Sequence, residues 1–157
     1  MPHTQHNPQA LARDVASAMW ERDRATQALD MQIVRVGPGE AVISMPVNAN
    51  MLNGHQTCHG GYIFTLADSA FAYACNSHNQ NTVAAAAHID FLAPAHEGDV
   101  LEAEAVERSL AGRTGVYDVT VRIRGGKTCA LFRGKSYRVS GEVIQRGQPE
   151  GQSGQHN

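Results

Sequence analysis

The segment 59–77, "HGGYIFTLADSAFAYACNS", is alanine-rich and free of proline, and both of its glycines stand at its start. Ile63, Leu66, Ala67, Ala70, Phe71 and Ala74 recur at three- and four-residue spacing, which predicts a helix with a broad apolar, buried face. On its N-terminal side, "MQIVRV" (31–36) and "EAVISMPV" (40–47) are split by Gly37-Pro38-Gly39 and read as a β-hairpin. Earlier still, Asn7-Pro8 has the form of a helix cap followed by proline at the first helical position. Leu11, Val15, Ala18 and Met19 then place an amphipathic helix over 8–25.

Four strand-like segments follow the long helix: 82–94, which ends at Pro94, then "VLEAEAVER", "GVYDVTVRIR" and 127–141. In the second, Leu101, Ala103 and Ala105 alternate with Glu102 and Glu104; in the third, Tyr117, Val119, Val121 and Ile123 alternate with Asp118, Thr120, Arg122 and Arg124. Such period-two patterning predicts an antiparallel sheet with one covered face. The expectation is an α+β fold in which a long central helix is wrapped by an antiparallel β-sheet, with an N-terminal helix outside. A single domain over 1–143 is expected, with the Gln/Gly-rich segment 144–157 as a mobile tail.

Composition narrows the class. The chain has 157 residues, 42% of them hydrophobic and 18% charged, an ordinary globular balance for one domain. No apolar run approaches the ~18 residues that span a bilayer, and "MPHTQHNPQALARD" lacks the apolar region of a signal peptide. Cys58, Cys75 and Cys129 are odd in number and far apart, so a reduced, cytoplasmic, soluble protein without a disulfide framework is expected. The net charge of −2 conceals an asymmetry: 36–107 holds eight acids and no Lys or Arg, whereas 108–138 holds eight basic residues and one acid, Asp118. Either neighbouring strands exchange charges across a sheet, or a basic surface awaits an anionic ligand.

The segment 53–68, "NGHQTCHGGYIFTLAD", gathers the polar chemistry. His55, Cys58 and His59 are metal-ligand types, but they lie within five residues and no second cluster with ligand spacing accompanies them, so no metal is expected. Haem attachment would need a second cysteine where His55 stands. Cys58, ahead of a helix start, has either a lowered pKa and nucleophilic character or the inert role of a small buried residue. His59-Gly60-Gly61 sets unpartnered backbone N–H groups at a helix N-terminus, where glycine permits close approach of an anion or a developing oxyanion. Asp68 lies within the helix among apolar neighbours, either on a narrow wet stripe with Thr65 and Ser69 or as a general base with a raised pKa. Gly60 and Asp68 are eight residues apart, about 12 Å along a helix axis. Both cannot touch one carbonyl within a single chain. If they cooperate, two long helices must pack antiparallel across a dimer.

The strings "MLNGHQTCHGGYIFTLADSAFAYACNS" (51–77), "IDFLAP" (89–94) with "GD" behind it, "TGVYDV" (114–119) and "ALFRGKSYRV" (130–139) closely resemble the phenylacetic acid degradation (PaaI) type of hotdog-fold acyl-CoA thioesterases. The resemblance covers roughly residues 10–143 and implies a hotdog fold, pairs of hotdogs assembled into tetramers, and composite active sites between subunits. It implies that Asp68 is the catalytic carboxylate, acting as base or nucleophile, and that the Gly60 N–H polarises the thioester carbonyl. Asn53 and His59 match polar positions that orient water, substrate or the catalytic groups. Some relatives carry a basic residue where this chain has Ala93, so their phosphate contacts do not transfer to that position. With coenzyme A in view, Arg113, Arg133 and Lys135 become candidates to meet its phosphates. The small residues of "VAAAA" (83–87) either let the helix sit close to the sheet or leave room for an aryl-acyl group.

The expected activity is hydrolysis of arylacetyl-CoA, with phenylacetyl or hydroxyphenylacetyl as the acyl group. No cofactor beyond the substrate's own CoA and no nucleic-acid or membrane partner is expected. Two rival classes share the fold: a non-catalytic acyl-CoA binding or sensing module, and a dehydratase, whose paired His and Asp motif "HGGYIFTLAD" does not resemble. Thioesters of other acyl groups remain alternative substrates.

Overall fold

The computed structural model describes residues 7–145. In chain order it contains α1 (Pro8–Arg22), α2 (Arg24–Ala28), β1 (Gln32–Gly37), β2 (Glu40–Pro46), a 3-10 turn (Ala49–Met51), α3 (Gly60–Cys75), β3 (Thr82–Phe91), β4 (Val100–Ala111), β5 (Thr114–Ile123) and β6 (Thr128–Arg138). The strands form one sheet in the order β1-β2-β4-β5-β6-β3, antiparallel throughout. The long helix crosses one face of this sheet, as the alternating strands require.

Period-two patterning maps onto the two faces. Leu101, Ala103, Ala105, Tyr117, Val119 and Val121 are buried together with Ile63, Leu66, Ala67, Ala70, Phe71 and Ala74 of α3 in a single core cluster. Close approach is possible because small residues face the helix. A Cβ on Gly134 of β6 would lie 2.8–2.9 Å from three ring atoms of Phe71. That ring is buried against Tyr117 and Phe132, with centroids 5.5 and 5.8 Å away. The small residues of 83–87 do not serve this purpose: they are exposed on the edge strand β3, and the residues packed with α3 are instead Ala41, Ala103, Ala105, Ala130 and Gly134.

The helix expected over 8–25 divides at Asp23. Asn7 caps α1 by accepting from the Gln9 N–H at 2.9 Å, and Ala12, Val15 and Ala16 form its buried face. At Asp23 the backbone leaves the helical region, and the side chain restarts a short helix by accepting from the Thr26 N–H at 3.2 Å. Its other oxygen accepts from the Tyr73 hydroxyl at 3.2 Å, tying the break to α3. At the far end, Asn79 exchanges two hydrogen bonds with the backbone of Ile144. The rest of the expected tail, 146–157, lies outside the described residues.

The charge asymmetry resolves only in part as exchange across strands, since Arg124 alone of the basic stretch pairs with an acid of 36–107 among the described residues. Arg35 pairs with Glu104 and Arg124 with Glu102, while Arg108 and Arg133 converge on Asp118. The two sheet edges differ. On β1, Gln9 of α1 donates to the Val36 carbonyl at 2.7 Å and covers part of the edge. β3 is the other terminal strand, ten residues long, with no strand beyond it among the described residues and with Val83 and Phe91 about half exposed.

Candidate active site

The loop entering α3 is fastened before the helix begins. The His59 N–H donates to the Met51 carbonyl at 2.7 Å, the Cys58 N–H to Ala95 at 2.8 Å, and Leu52 and Cys58 form an antiparallel bridge. Asn53 organises the turn from within: its Oδ1 accepts from the N–H groups of His55 and Thr57 at 2.9 and 3.2 Å, and its amide donates to Thr57 Oγ1 at 3.0 Å. Asn53 therefore shapes the approach to the helix.

His59 is the N-cap of α3, in extended backbone (ψ 133°). Its Nδ1 accepts from the Gly61 N–H at 2.9 Å, and its carbonyl accepts from the Tyr62 N–H at 3.0 Å. The Gly60 N–H, first in the helix, has no acceptor among the described residues. One orphan donor thus remains at the positive end of a 16-residue helix. The absent Cβ of Gly60 leaves room for a neighbour: the ring of Phe91 would stand 3.0 Å from such an atom. Phe91 has no polar chemistry to mark it in the sequence, and only the fold brings it to the helix start.

Asp68 sits on the same helix, about 12 Å along the axis from Gly60. Its carboxylate has no hydrogen-bond partner among the described residues, whereas the flanking hydroxyls serve the helix backbone: Thr65 donates to the Gly61 carbonyl at 2.9 Å and Ser69 to the Thr65 carbonyl at 2.7 Å. Burial alone holds the Asp68 carboxyl above its ordinary 3.8. A half-buried carboxylate without donors keeps its basicity, which suits a general base or nucleophile.

Cys58 has the inert character. It is 5% exposed, its thiol points at the His59 carbonyl 3.7 Å away, and burial pushes its pKa up to about 11, opposite to the shift a nucleophile needs. Among the basic candidates, Arg133 is bound to Asp118 through two hydrogen bonds of 2.7 and 2.9 Å, and this pairing holds the Asp118 carboxyl low. The side chains of Arg113 and Lys135 have no ion-pair partner among the described residues. No group of three or more His, Cys, Asp or Glu with metal-holding geometry occurs among the described residues, and no helix there is long and apolar enough to cross a membrane.

A second polar cluster escaped the sequence reading. Glu107 accepts from the Tyr117 hydroxyl at 2.7 Å and lies 2.8 Å from His78 Nε2. It joins the segment after α3 to β4 and β5 at the opposite end of the helix from Gly60.

The model of the thioesterase superfamily matches residues 55–130. The acyl-coenzyme A thioesterase PaaI of Escherichia coli is 52% identical over 128 residues, covering 82% of this chain and 91% of its own. The chain belongs to the thioesterase superfamily. The solved structure of E. coli PaaI, from the phenylacetic acid degradation operon, superposes with a TM-score of 0.85 at 49% identity, covering 87% of this chain and 99% of that one. A Thermus thermophilus protein gives a TM-score of 0.72 at 42% identity, covering 75% and 99%. A Streptococcus mutans protein solved with acetyl CoA gives 0.68 at 26% identity, covering 71% and 90%. The hotdog architecture is therefore that of the superfamily, and the helix start and Asp68 fall inside the matched region.

Proposed function

We propose that this thioesterase hydrolyses arylacetyl-CoA to the free acid and CoA, with phenylacetyl or hydroxyphenylacetyl as the acyl group. The similarity to E. coli PaaI supports the substrate class. The observation that carries the chemistry is the pairing of an unclaimed Gly60 N–H with a donor-free, half-buried Asp68 on one helix.

In the proposed mechanism the thioester oxygen accepts from the Gly60 N–H, whose attraction strengthens as negative charge develops on that oxygen. Asp68 then takes one of two roles. As a base it removes a proton from water, whose oxygen forms the new C–O bond while the C–S bond breaks and the thiolate leaves. As a nucleophile it forms a mixed anhydride with release of thiolate, and water then cleaves the anhydride. In either case, no cofactor beyond the CoA of the substrate is needed. His59 positions the donor through its cap on Gly61, and Asn53 positions it through the entry loop. Arg113, Lys135 and Arg133 are proposed to meet the CoA phosphates, with Arg133 shared between substrate and Asp118.

Because the two groups are about 12 Å apart on one helix, the site is proposed to form between subunits. Two features support a dimer. The edge strand β3 is long and apolar, the kind of edge that a monomer normally blunts. The partly covered stripe of α3 (Gly61, Thr65, Asp68 and Ala72) carries small side chains around Asp68, so a second α3 can approach antiparallel. Two such dimers would make the expected tetramer, and the three free, buried cysteines suit a reducing, cytoplasmic setting.

The test is thiol release by the purified chain from phenylacetyl-, hydroxyphenylacetyl-, benzoyl- and fatty acyl-CoA. Turnover led by the arylacetyl substrates supports the proposal. Tight CoA binding without thiol release from any of them would replace it with a binding or sensing module.

A further inference from the structure

We propose that Phe91 is an acyl-specificity residue, its ring forming the aromatic wall beside the Gly60 N–H that favours arylacetyl over straight-chain groups; the inference rests on the thioesterase reading above. Phe91 ends β3 opposite Ala130, a wholly buried residue of β6, so its side chain is on the helix side of the sheet. There the tip of the ring meets the helix start: a Cβ on Gly60 would lie 3.0, 3.2 and 3.5 Å from its Cζ, Cε1 and Cε2. Glycine at position 60 thus leaves room both for a carbonyl oxygen at its N–H and for this ring at its side.

The ring is open although its backbone is fixed. Phe91 is 54% exposed. Immediately after it, the N–H groups of Leu92 and Ala93 both donate to the carbonyl of the buried Cys129, at 2.8 and 3.3 Å. A large apolar side chain half in solvent, on a pinned strand end, is not part of the core. A thioester carbonyl held at the Gly60 N–H would place its acyl substituent within reach of this ring. A phenyl group can meet it in an offset or edge-to-face arrangement, an advantage of about three- to tenfold over an aliphatic chain. Phe64, one helical turn after Gly60, sets its ring edge-on to Phe132 at 5.4 Å.

The experiment compares kcat/KM for phenylacetyl-CoA and hexanoyl-CoA in the wild-type chain, Phe91→Leu, Phe91→Ala and Phe91→Tyr, with melting and size-exclusion profiles for each. Phe91→Leu retains apolar bulk and strand pairing, which keeps the result readable if Phe91→Ala disturbs the edge strand. The expected result is a phenylacetyl preference in the wild type, read as the ratio of the two kcat/KM values, that falls about three- to tenfold in Phe91→Leu and persists in Phe91→Tyr. An unchanged preference in Phe91→Leu, or a parallel fall on both substrates, overturns the proposal while leaving the thioesterase reading intact. A wild-type chain that releases thiol from neither substrate overturns both.

Discussion

His59 caps α3 through its own ring, Nδ1 accepting from the Gly61 N–H at 2.9 Å. The histidine thereby takes the second N–H of the helix and leaves the first, on Gly60, without an acceptor among the described residues. A cap that used Gly60 instead would occupy the donor that the thioester oxygen is proposed to meet.

Gly60→Pro tests that donor directly. Proline suits the first helical position, and the extended backbone of His59 is compatible with a following proline, so the helix start survives while its N–H is removed. Turnover is expected to fall by roughly 10²-fold, the cost of one oxyanion donor. Gly60→Ala adds a comparable Cβ near Phe91 but keeps the N–H, so steady-state kinetics should show a loss below about tenfold.

Asp68→Asn should separate activity from stability. Loss of the base or nucleophile is expected to lower kcat by about 10²-fold or more. The melting midpoint should rise, because burial disfavours the Asp68 carboxylate and nothing in the described structure compensates it. The sign follows from the raised folded pKa: the folded state holds the proton more tightly than the unfolded chain. Asp68 therefore contributes stability below its ordinary 3.8 that is lost as pH rises through its folded value. Activity runs the other way, since it needs the carboxylate. The acid limb of kcat/KM should have its midpoint above 3.8, and a limb at or below 3.8 would remove Asp68 from the assignment.

Mixing inactive subunits tests the composite site. In a heterodimer of Gly60→Pro and Asp68→Asn, one interface pairs the two lesions and the other pairs an intact Gly60 with an intact Asp68. Co-refolding equal amounts should restore about a quarter of wild-type activity, since half of the dimers are mixed and each has one good site. No recovery in dimers shown to be mixed would mean that the two residues do not share a site.

Lys135→Ala and Arg113→Ala are expected to raise KM for acyl-CoA by about threefold or more with kcat little changed. The same substitutions should leave KM unaltered for an acyl pantetheine thioester, which lacks the phosphates. An equal effect on both substrates would show that neither side chain meets a phosphate.

Gly134→Ala should destabilise the chain by about 1–3 kcal/mol, because its new Cβ would overlap the buried Phe71 ring from 2.8 Å. Phe71→Leu in the same chain should cost less than the sum of the two single changes, which denaturant melts arranged as a double-mutant cycle can measure.

Local pattern was enough for most of the elements, because burial in this fold follows period. The three- and four-residue spacing of 59–77 identified the central helix and its buried face, and two-residue alternation identified the strands of a one-sided antiparallel sheet. The rise of a helix, a constant of the backbone, was enough to separate Gly60 from Asp68 by about 12 Å before any coordinates. Other features depended on contacts between distant segments. Asp23 breaks the N-terminal helix because its carboxylate can serve both Thr26 and Tyr73, 50 residues away. The small residues 83–87 could be read as helix packing, but the strand that carries them closes the sheet at an edge, so they are exposed. Phe91 meets Gly60, and Arg133 meets Asp118, only because β3, β5 and β6 lie side by side in this register. The sequence by itself determined the periodic elements and the spacing of the polar groups along them, since both follow from local geometry. The tertiary structure decided which groups are buried, paired or left open, because each of those depends on residues far away in the chain.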